Sequence, residues 1–296
     1  MIEKISDIKK RENAIIIAHN YQIPEVQEIA DFVGDSLELS RIAKKSKAST
    51  IIFAGVRFMA ETAKILSPYK TILLPVKDAG CPMADQVSAD DVKELRKKYP
   101  DAGFVAYINT TAEVKSEVDI CCTSSNAVKI INSLKQEKIV FLPDKNLANW
   151  VALQTEKEII SYDGFCYVHQ KFNMEEIINI RKTYPDAELL VHPESPPSVV
   201  KNADYVLSTS GILNHAKHSH SKRFIIGTES GLIHRLIKEN PDKEFYSPGE
   251  DKICFNMKKT TLIDIYNSLT YKQYKIELPF EVLERAKKPI ERMVKL

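Results

Sequence analysis

Glycine is scarce in this chain, with nine residues in 296. Neither Gly-x-Gly-x-x-Gly nor a P-loop stretch occurs, so the common nucleotide-phosphate cradles are absent. Long apolar runs are missing as well. Nothing approaches the ~18 apolar residues of a spanning helix, and residues 1–12 are charged rather than built like a secretion signal. No charge sign dominates: 42 Lys and Arg face 40 Asp and Glu, for a formal net charge of +2. That balance gives no nucleic-acid or membrane-surface signal. Basic clusters such as Lys44-Lys45-Ser46-Lys47 read as solvated faces. Cys-x-x-Cys is also absent, although there are five cysteines. The chain reads as a cytoplasmic protein with reduced thiols. Any cysteine metal site has to be assembled from distant parts of the sequence.

What is present is an ordinary globular composition, 44% apolar and 28% charged, in a length that suits one large or several smaller domains. Three cysteines follow similar turns: Asp78-Ala-Gly80-Cys81, Asp163-Gly-Phe-Cys166 and Asp251-Lys-Ile-Cys254. Cys81 and Cys166 are 85 residues apart, and Cys166 and Cys254 are 88 apart. Near-equal spacing over such distances indicates a unit written three times.

The units align without gaps. His19, Tyr107 and His192 each follow an apolar run, an aspartate comes 12 residues later (Asp31, Asp119, Asp204), and a hydroxyl residue 17 later (Ser36, Ser124, Thr209). A second polar group lies two residues on: Tyr21, Asn109, Glu194. Short apolar strands such as Ala14–Ala18, Ile51–Ala54, Phe104–Tyr107, Ile139–Leu142 and Glu188–Val191 alternate with helical segments. That alternation means short parallel sheets covered by helices. The expected architecture is three similar three-layer α/β/α domains around a pseudo-threefold axis. Their expected limits are 1–83, 84–169 and 170–259, with helical residues 260–296 packing back on the first. Ligands bind at the carboxyl ends of such strands, where the repeated polar groups and the cysteines fall.

Cys81, Cys166 and Cys254 are the candidate metal ligands, while Cys121 and Cys122 lie in an apolar run and read as buried structure. Three thiolates suit zinc with a water, or a [4Fe-4S] cluster with one open iron, and spacing alone leaves both possible. Ser36, Ser124 and Thr209 each precede a helical segment. As N-caps they would satisfy free amides. Three at matching positions favour a shared anion site instead, for a dicarboxylate or phosphate ester. His19, Tyr21, Tyr107, Asn109, His192 and Glu194 are the candidate proton-transfer and orienting groups. His169, three residues past Cys166, is a lesser candidate. The repeated aspartates are expected to end helices or close turns.

At these residues the chain resembles the quinolinate synthase family. The stretches carrying the resemblance include Ala18-His19-Asn-Tyr21-Gln, Gly34-Asp-Ser36-Leu, Cys81-Pro-Met-Ala, Thr123-Ser124-Ser-Asn126, Pro143-Asp-Lys-Asn146, Cys166-Tyr-Val-His169-Gln and His192-Pro-Glu194. They run in order along nearly the whole chain. The resemblance implies a [4Fe-4S] cluster on Cys81, Cys166 and Cys254. It also implies condensation of iminoaspartate with dihydroxyacetone phosphate to quinolinate on the route to NAD. Iminoaspartate contacts would fall on His19, Ser36, Tyr107, Ile108, Asn109, Ser124, His192, Pro193, Glu194 and Thr209. Tyr21 and Glu194 would lead the acid–base chemistry, with His19 and His192 beside them. An L-aspartate oxidase or dehydrogenase would supply the iminoaspartate. The chain departs from the family at Ser195, where cysteine is frequent, at Ser210, where glycine is frequent, and at Arg57. The rival readings are a zinc-dependent hydrolase or lyase on the same thiolates and a non-catalytic iron–sulfur sensor of a dicarboxylate.

Overall fold

The computed structural model describes residues 1–296. The chain repeats a run of eight elements, helix and strand in alternation, three times. The first run is α1 (Ile2–Arg11), β1 (Ala14–His19), α2 (Pro24–Ile29), β2 (Phe32–Gly34), α3 (Ser36–Lys45), β3 (Thr50–Ala54), α4 (Arg57–Leu66) and β4 (Thr71–Leu73). The second is α5 (Ala89–Lys98), β5 (Gly103–Tyr107), α6 (Ala112–Lys115), β6 (Ile120–Cys122), α7 (Ala127–Asn132), β7 (Lys138–Leu142), α8 (Lys145–Ala152) and β8 (Glu158–Ser161). The third is α9 (Met174–Thr183), β9 (Glu188–Val191), α10 (Pro197–Lys201), β10 (Tyr205–Val206), α11 (Thr209–His218), β11 (Arg223–Gly227), α12 (Gly231–Glu239) and β12 (Glu244–Tyr246). Three further helices follow: α13 (Phe255–Lys258), α14 (Leu262–Tyr271) and α15 (Phe280–Lys295).

Each run makes its own all-parallel four-stranded sheet, in the orders β2-β1-β3-β4, β6-β5-β7-β8 and β10-β9-β11-β12. The central strands are near-continuous Ile, Val, Leu and Phe and are buried almost throughout, as a sheet covered on both faces requires. The expected fold, three similar α/β units with short parallel sheets, is what forms. No helix is long and apolar enough to cross a membrane. Helices α5 and α9 went unforeseen. Each carries only a narrow apolar stripe among charged residues, Val92 with Leu95 in one and Met174, Ile177 and Ile180 in the other, so the signal in sequence is weak.

The repeated aspartates do something other than end helices or close turns. Asp31 Oδ2 accepts the Ile16 N–H at 2.8 Å, Asp119 Oδ2 the Phe104 N–H at 2.7 Å, and Asp204 Oδ2 the Leu189 N–H at 2.7 Å. The amide of each aspartate bonds back to the carbonyl of the same strand residue. A side-chain oxygen thus supplies a ladder partner where the short edge strand has not yet begun. A cation from the preceding helix closes each clamp: Lys9, Arg96 and Arg181. The constant 12-residue offset is the length of chain between the end of the first strand and that clamp.

The last segment returns to the first sheet. Tyr274 and Leu74 exchange backbone hydrogen bonds, and Ile276 N–H donates to Ile72, covering the β4 edge. Helix α14 packs on α1 and β3, whereas α15 lies against β6, α6 and α4, between the first two sheets. Replacing Asp119 by Ala should destabilise the protein by about 1–3 kcal/mol, because the buried Phe104 amide loses its acceptor. Urea unfolding measures this, and Asp119→Asn, which keeps one oxygen, should lose less.

Candidate functional site

Three central strands point at one place. β1 ends on His19, β5 ends on Tyr107, and His192 directly follows β9. Around these ends lies a cavity whose wall draws on all three sheets. The first sheet contributes His19, Tyr21 and Ser36 to its wall, the second Tyr107, Asn109 and Ser124, the third His192, Glu194 and Thr209. Cys81, Cys166 and Cys254 line it too. Ile108 and Pro193 do not: Ile108 belongs to the core and Pro193 is buried in the turn after β9.

The two-residue offset has a structural meaning. The Tyr21 N–H donates to His19 Nδ1 at 3.2 Å, and the Glu194 N–H to His192 Nδ1 at 3.4 Å. An accepting Nδ1 leaves the proton of a neutral ring on Nε2. Burial pushes both imidazoles down to about 3, so both are neutral near neutral pH. His192 Nε2 then faces Ser124 Oγ at 3.1 Å.

Glu194 is the centre of a network drawn from all three sheets. Tyr107 donates its hydroxyl to Oε1 at 2.5 Å, and His169 Nδ1 lies 2.7 Å from Oε2. His169 Nε2 bonds Thr228 Oγ1 at 2.9 Å, and the Thr228 hydroxyl meets the Tyr21 hydroxyl at 2.6 Å. Burial acts to raise the Glu194 carboxyl, but the facing His169 and His192, with hydrogen bonds from His169 and Tyr107, outweigh it and hold it well below the usual range. Burial, with the Glu194 charge adding, pushes the Tyr21 and Tyr107 phenols well up. No Lys or Arg lines the cavity, and the Glu194 oxygens are met by the Tyr107 hydroxyl and the His169 ring.

The repeated hydroxyls are not helix caps. Asp35 caps α3, with Glu38 completing the capping box, and Ser208 caps α11. Ser36 and Thr209 are the first helical residues, free to face the cavity, and Ser124 lies in the turn before α7. Thr209 Oγ1 is fixed by Asn20 Nδ2 at 3.0 Å. Ser210, one of the departures, bonds Glu38 at 2.8 Å and so ties α11 to the start of α3. Ser195 is buried with its hydroxyl unpartnered, and Arg57 pairs with Glu61 at 2.8 Å. Asn109 Oδ1, also buried, has no partner in the protein.

Each lining cysteine opens a helical turn: Ala84–Gln86, His169–Lys171 and α13. Backbone N–H groups of Met83 and Ala84 near Cys81, of His169 near Cys166, and of Asn256 and Met257 near Cys254 favour the thiolates. Burial pushes the Cys81 thiol up to about 12 and raises the other two. Charged thiolates here therefore need a bound cation. Donor atoms of Cys166, His169 and Glu194 also lie within 4.8 Å of one another, a group able to hold a metal. Cys121 and Cys122 are fully buried in β6, as expected. Sequence reading missed Thr228, Asn20, Asp144 and Glu229. Asp144 falls in a stretch that carries the family resemblance, whereas Thr228-Glu229 has no motif.

A family model described as quinolinate synthetase A protein matches residues 3–295. The chain belongs to the quinolinate synthase family. It is 52% identical to the quinolinate synthase of Alkaliphilus metalliredigens, over the whole of this chain and 98% of that one. It is 51% identical to the quinolinate synthase of Caldicellulosiruptor bescii, over 99% of this chain and 97% of the relative. It is 50% identical to quinolinate synthase 2 of Methanosarcina acetivorans, over 99% and 94% of the two chains. The relatives are named as synthases, and the family is one of enzymes.

The neutral histidines carry a stability signature. Their folded pKa of about 3 lies below the ordinary 6.5, so below about 6.5 the unfolded chain binds protons that the folded one refuses. Stability is full above that value and falls as pH drops towards 3. Glu194, held low in the fold, adds a loss of the same sign below about 4.5. The urea midpoint should drop between about pH 7 and pH 4, and His192→Asn should flatten the drop. An unchanged slope contradicts a neutral buried His192.

Proposed function

We propose that this chain is a quinolinate synthase that condenses iminoaspartate with dihydroxyacetone phosphate in the de novo route to NAD. The observation that carries this reading is the family match over nearly the whole chain, joined to the convergence of twelve expected site residues on one cavity. The three similar units are read as repeats 1–83, 84–169 and 170–259 around a pseudo-threefold axis, which their common strand order supports.

The donor set fits a [4Fe-4S] cluster. Three thiols face one cavity, each at the start of a helical turn whose amides favour the thiolate, a donor set that suits cluster ligation. Cys81, Cys166 and Cys254 would hold it. When bound, it supplies a Lewis acid with one open iron position.

The chain's own groups then divide the work. Ser36, Ser124, Thr209 and the His192 Nε2–H would bind the carboxylates of iminoaspartate, with α3 and α11 starting at the cavity and favouring negative charge. Asn109 Oδ1, unpartnered in the protein, suits the imine N–H. Glu194 is oriented by Tyr107 and His169 to take a carbon-bound proton, and Tyr21 to return one to a leaving oxygen. Thr228 and His169 link those two groups, so a proton gained at one is relayed towards the other. The balance is one C–C bond and one C=N bond formed, with phosphate and two waters leaving. No oxidant is required.

The decisive experiment is anaerobic reconstitution with iron and sulfide, followed by metal analysis, an absorption spectrum and an assay for pyridine-2,3-dicarboxylate. Zinc in place of iron and sulfide would support the hydrolase or lyase reading. Cys81→Ala should lose both the iron chromophore and turnover. Glu194→Gln should keep the chromophore and lower kcat by about 10²–10⁴-fold, the usual size of general acid–base assistance; near-normal turnover rejects that role.

A further inference from the structure

The three cysteine loops share one main-chain anchor. The Arg57 N–H donates to the Ala79 carbonyl at 2.8 Å, the Lys145 N–H to Gly164 at 2.8 Å, and the Ser230 N–H to Lys252 at 3.1 Å. Each acceptor stands two residues before a cysteine, and each donor three residues after the third strand of its run. Positions 56, 144 and 229, one residue before each donor, are therefore equivalent. They hold Val56, Asp144 and Glu229.

The two acids make equivalent contacts. Asp144 Oδ2 accepts the Cys166 N–H at 3.2 Å, and Glu229 Oε1 accepts the Cys254 N–H at 3.0 Å. Their other oxygens bind the following helix start: Asp144 Oδ1 accepts from Leu147 N–H at 2.6 Å, and Glu229 Oε2 from Gly231 N–H at 2.7 Å. Both residues are wholly buried. Capping alone does not call for a buried carboxylate, since serine or asparagine caps as well without the cost of desolvating a charge. The second oxygen, and its partner, is what an acid adds. In the first run Val56 offers no side-chain acceptor, although like Glu229 it lines the cavity.

We propose that Asp144 and Glu229 are positioning residues that fix the Cys166 and Cys254 loops for metal binding, while the Cys81 loop is left the adjustable one. This rests on the reading that these cysteines are ligands. Glu229 reaches further. Its Oε1 pairs with Lys258 Nζ at 2.9 Å, and the same ammonium donates to the Tyr21 carbonyl, so one carboxylate sets both a thiol and a proton-transfer residue.

The test uses the full chain, metal-free and anaerobic, alkylated with iodoacetamide and followed cysteine by cysteine by mass spectrometry. Asp144→Ser keeps the helix cap and removes the second acceptor. It should speed alkylation of Cys166 by about tenfold, the worth of one hydrogen bond, leaving Cys81 and Cys254 at wild-type rates. Glu229→Ala should do the same for Cys254 alone. Cys121 and Cys122, fully buried, report any general loosening of the fold. Unchanged rates, or a rise shared by all five cysteines in both variants, overturn the proposal. After reconstitution, Asp144→Ser should lose iron to a chelator about tenfold faster than wild type. A wild-type protein that takes up no iron removes the ligand role, whatever the alkylation pattern shows.

Discussion

A buried carboxylate with no lysine or arginine against it governs the cavity. Glu194 is almost fully enclosed, and its oxygens meet the Tyr107 hydroxyl and the His169 ring. An isolated buried charge is expensive, and hydrogen bonds from fixed donors are what make it tolerable. Those donors come from separate places: Tyr107 from the end of β5, and His169 from the turn after Cys166, itself held by Thr228 beyond β11. The anion is stable only when the second and third sheets present their strand ends together, and Tyr21 brings in the first through Thr228. The site and the packing of the three sheets are therefore one requirement.

The scaffold repeats, but the chemistry does not. Equivalent strand ends carry His19, Tyr107 and His192, and equivalent next positions carry Tyr21, Asn109 and Glu194. In the first and third runs a main-chain N–H from that second position sets a histidine tautomer. In the second, the residue at the strand end is a phenol that donates directly to Glu194. Repetition places groups at similar depth around the cavity, and residue identity then decides which hydrogen bonds each one makes. What stays constant is the backbone: the anchor before each cysteine and the aspartate clamp on each first strand.

Most of the sheets and the lining residues were legible because they depend on local signals. Apolar runs such as Ala14–His19 and Lys138–Leu142 mark buried strands, and constant offsets expose the repeat. Several features were not legible for stated reasons. Helices α5 and α9 show only a narrow apolar stripe among charged residues, so their signal is weak. Asp31, Asp119 and Asp204 looked like turn residues because their partners lie 15 residues earlier, a separation that only the parallel crossover brings together. A cap reading of Ser36 and Thr209 competed with the favoured cavity reading because the true caps, Asp35 and Ser208, stand just before them. Val56, Asp144 and Glu229 escaped because three different residue types occupy one equivalent position.

The return of the last segment to the beginning bears on the order of events in the cell. Strand β4 acquires its outer neighbour only from residues 274–276, α1 is covered by α14, and β6 by α15. During translation the first two sheets emerge from the ribosome with these faces bare, and they stay so until the final helices are released. Cys81, Cys166 and Cys254 thus share a finished cavity only once these faces are covered, and a nascent chain offers them no common destination.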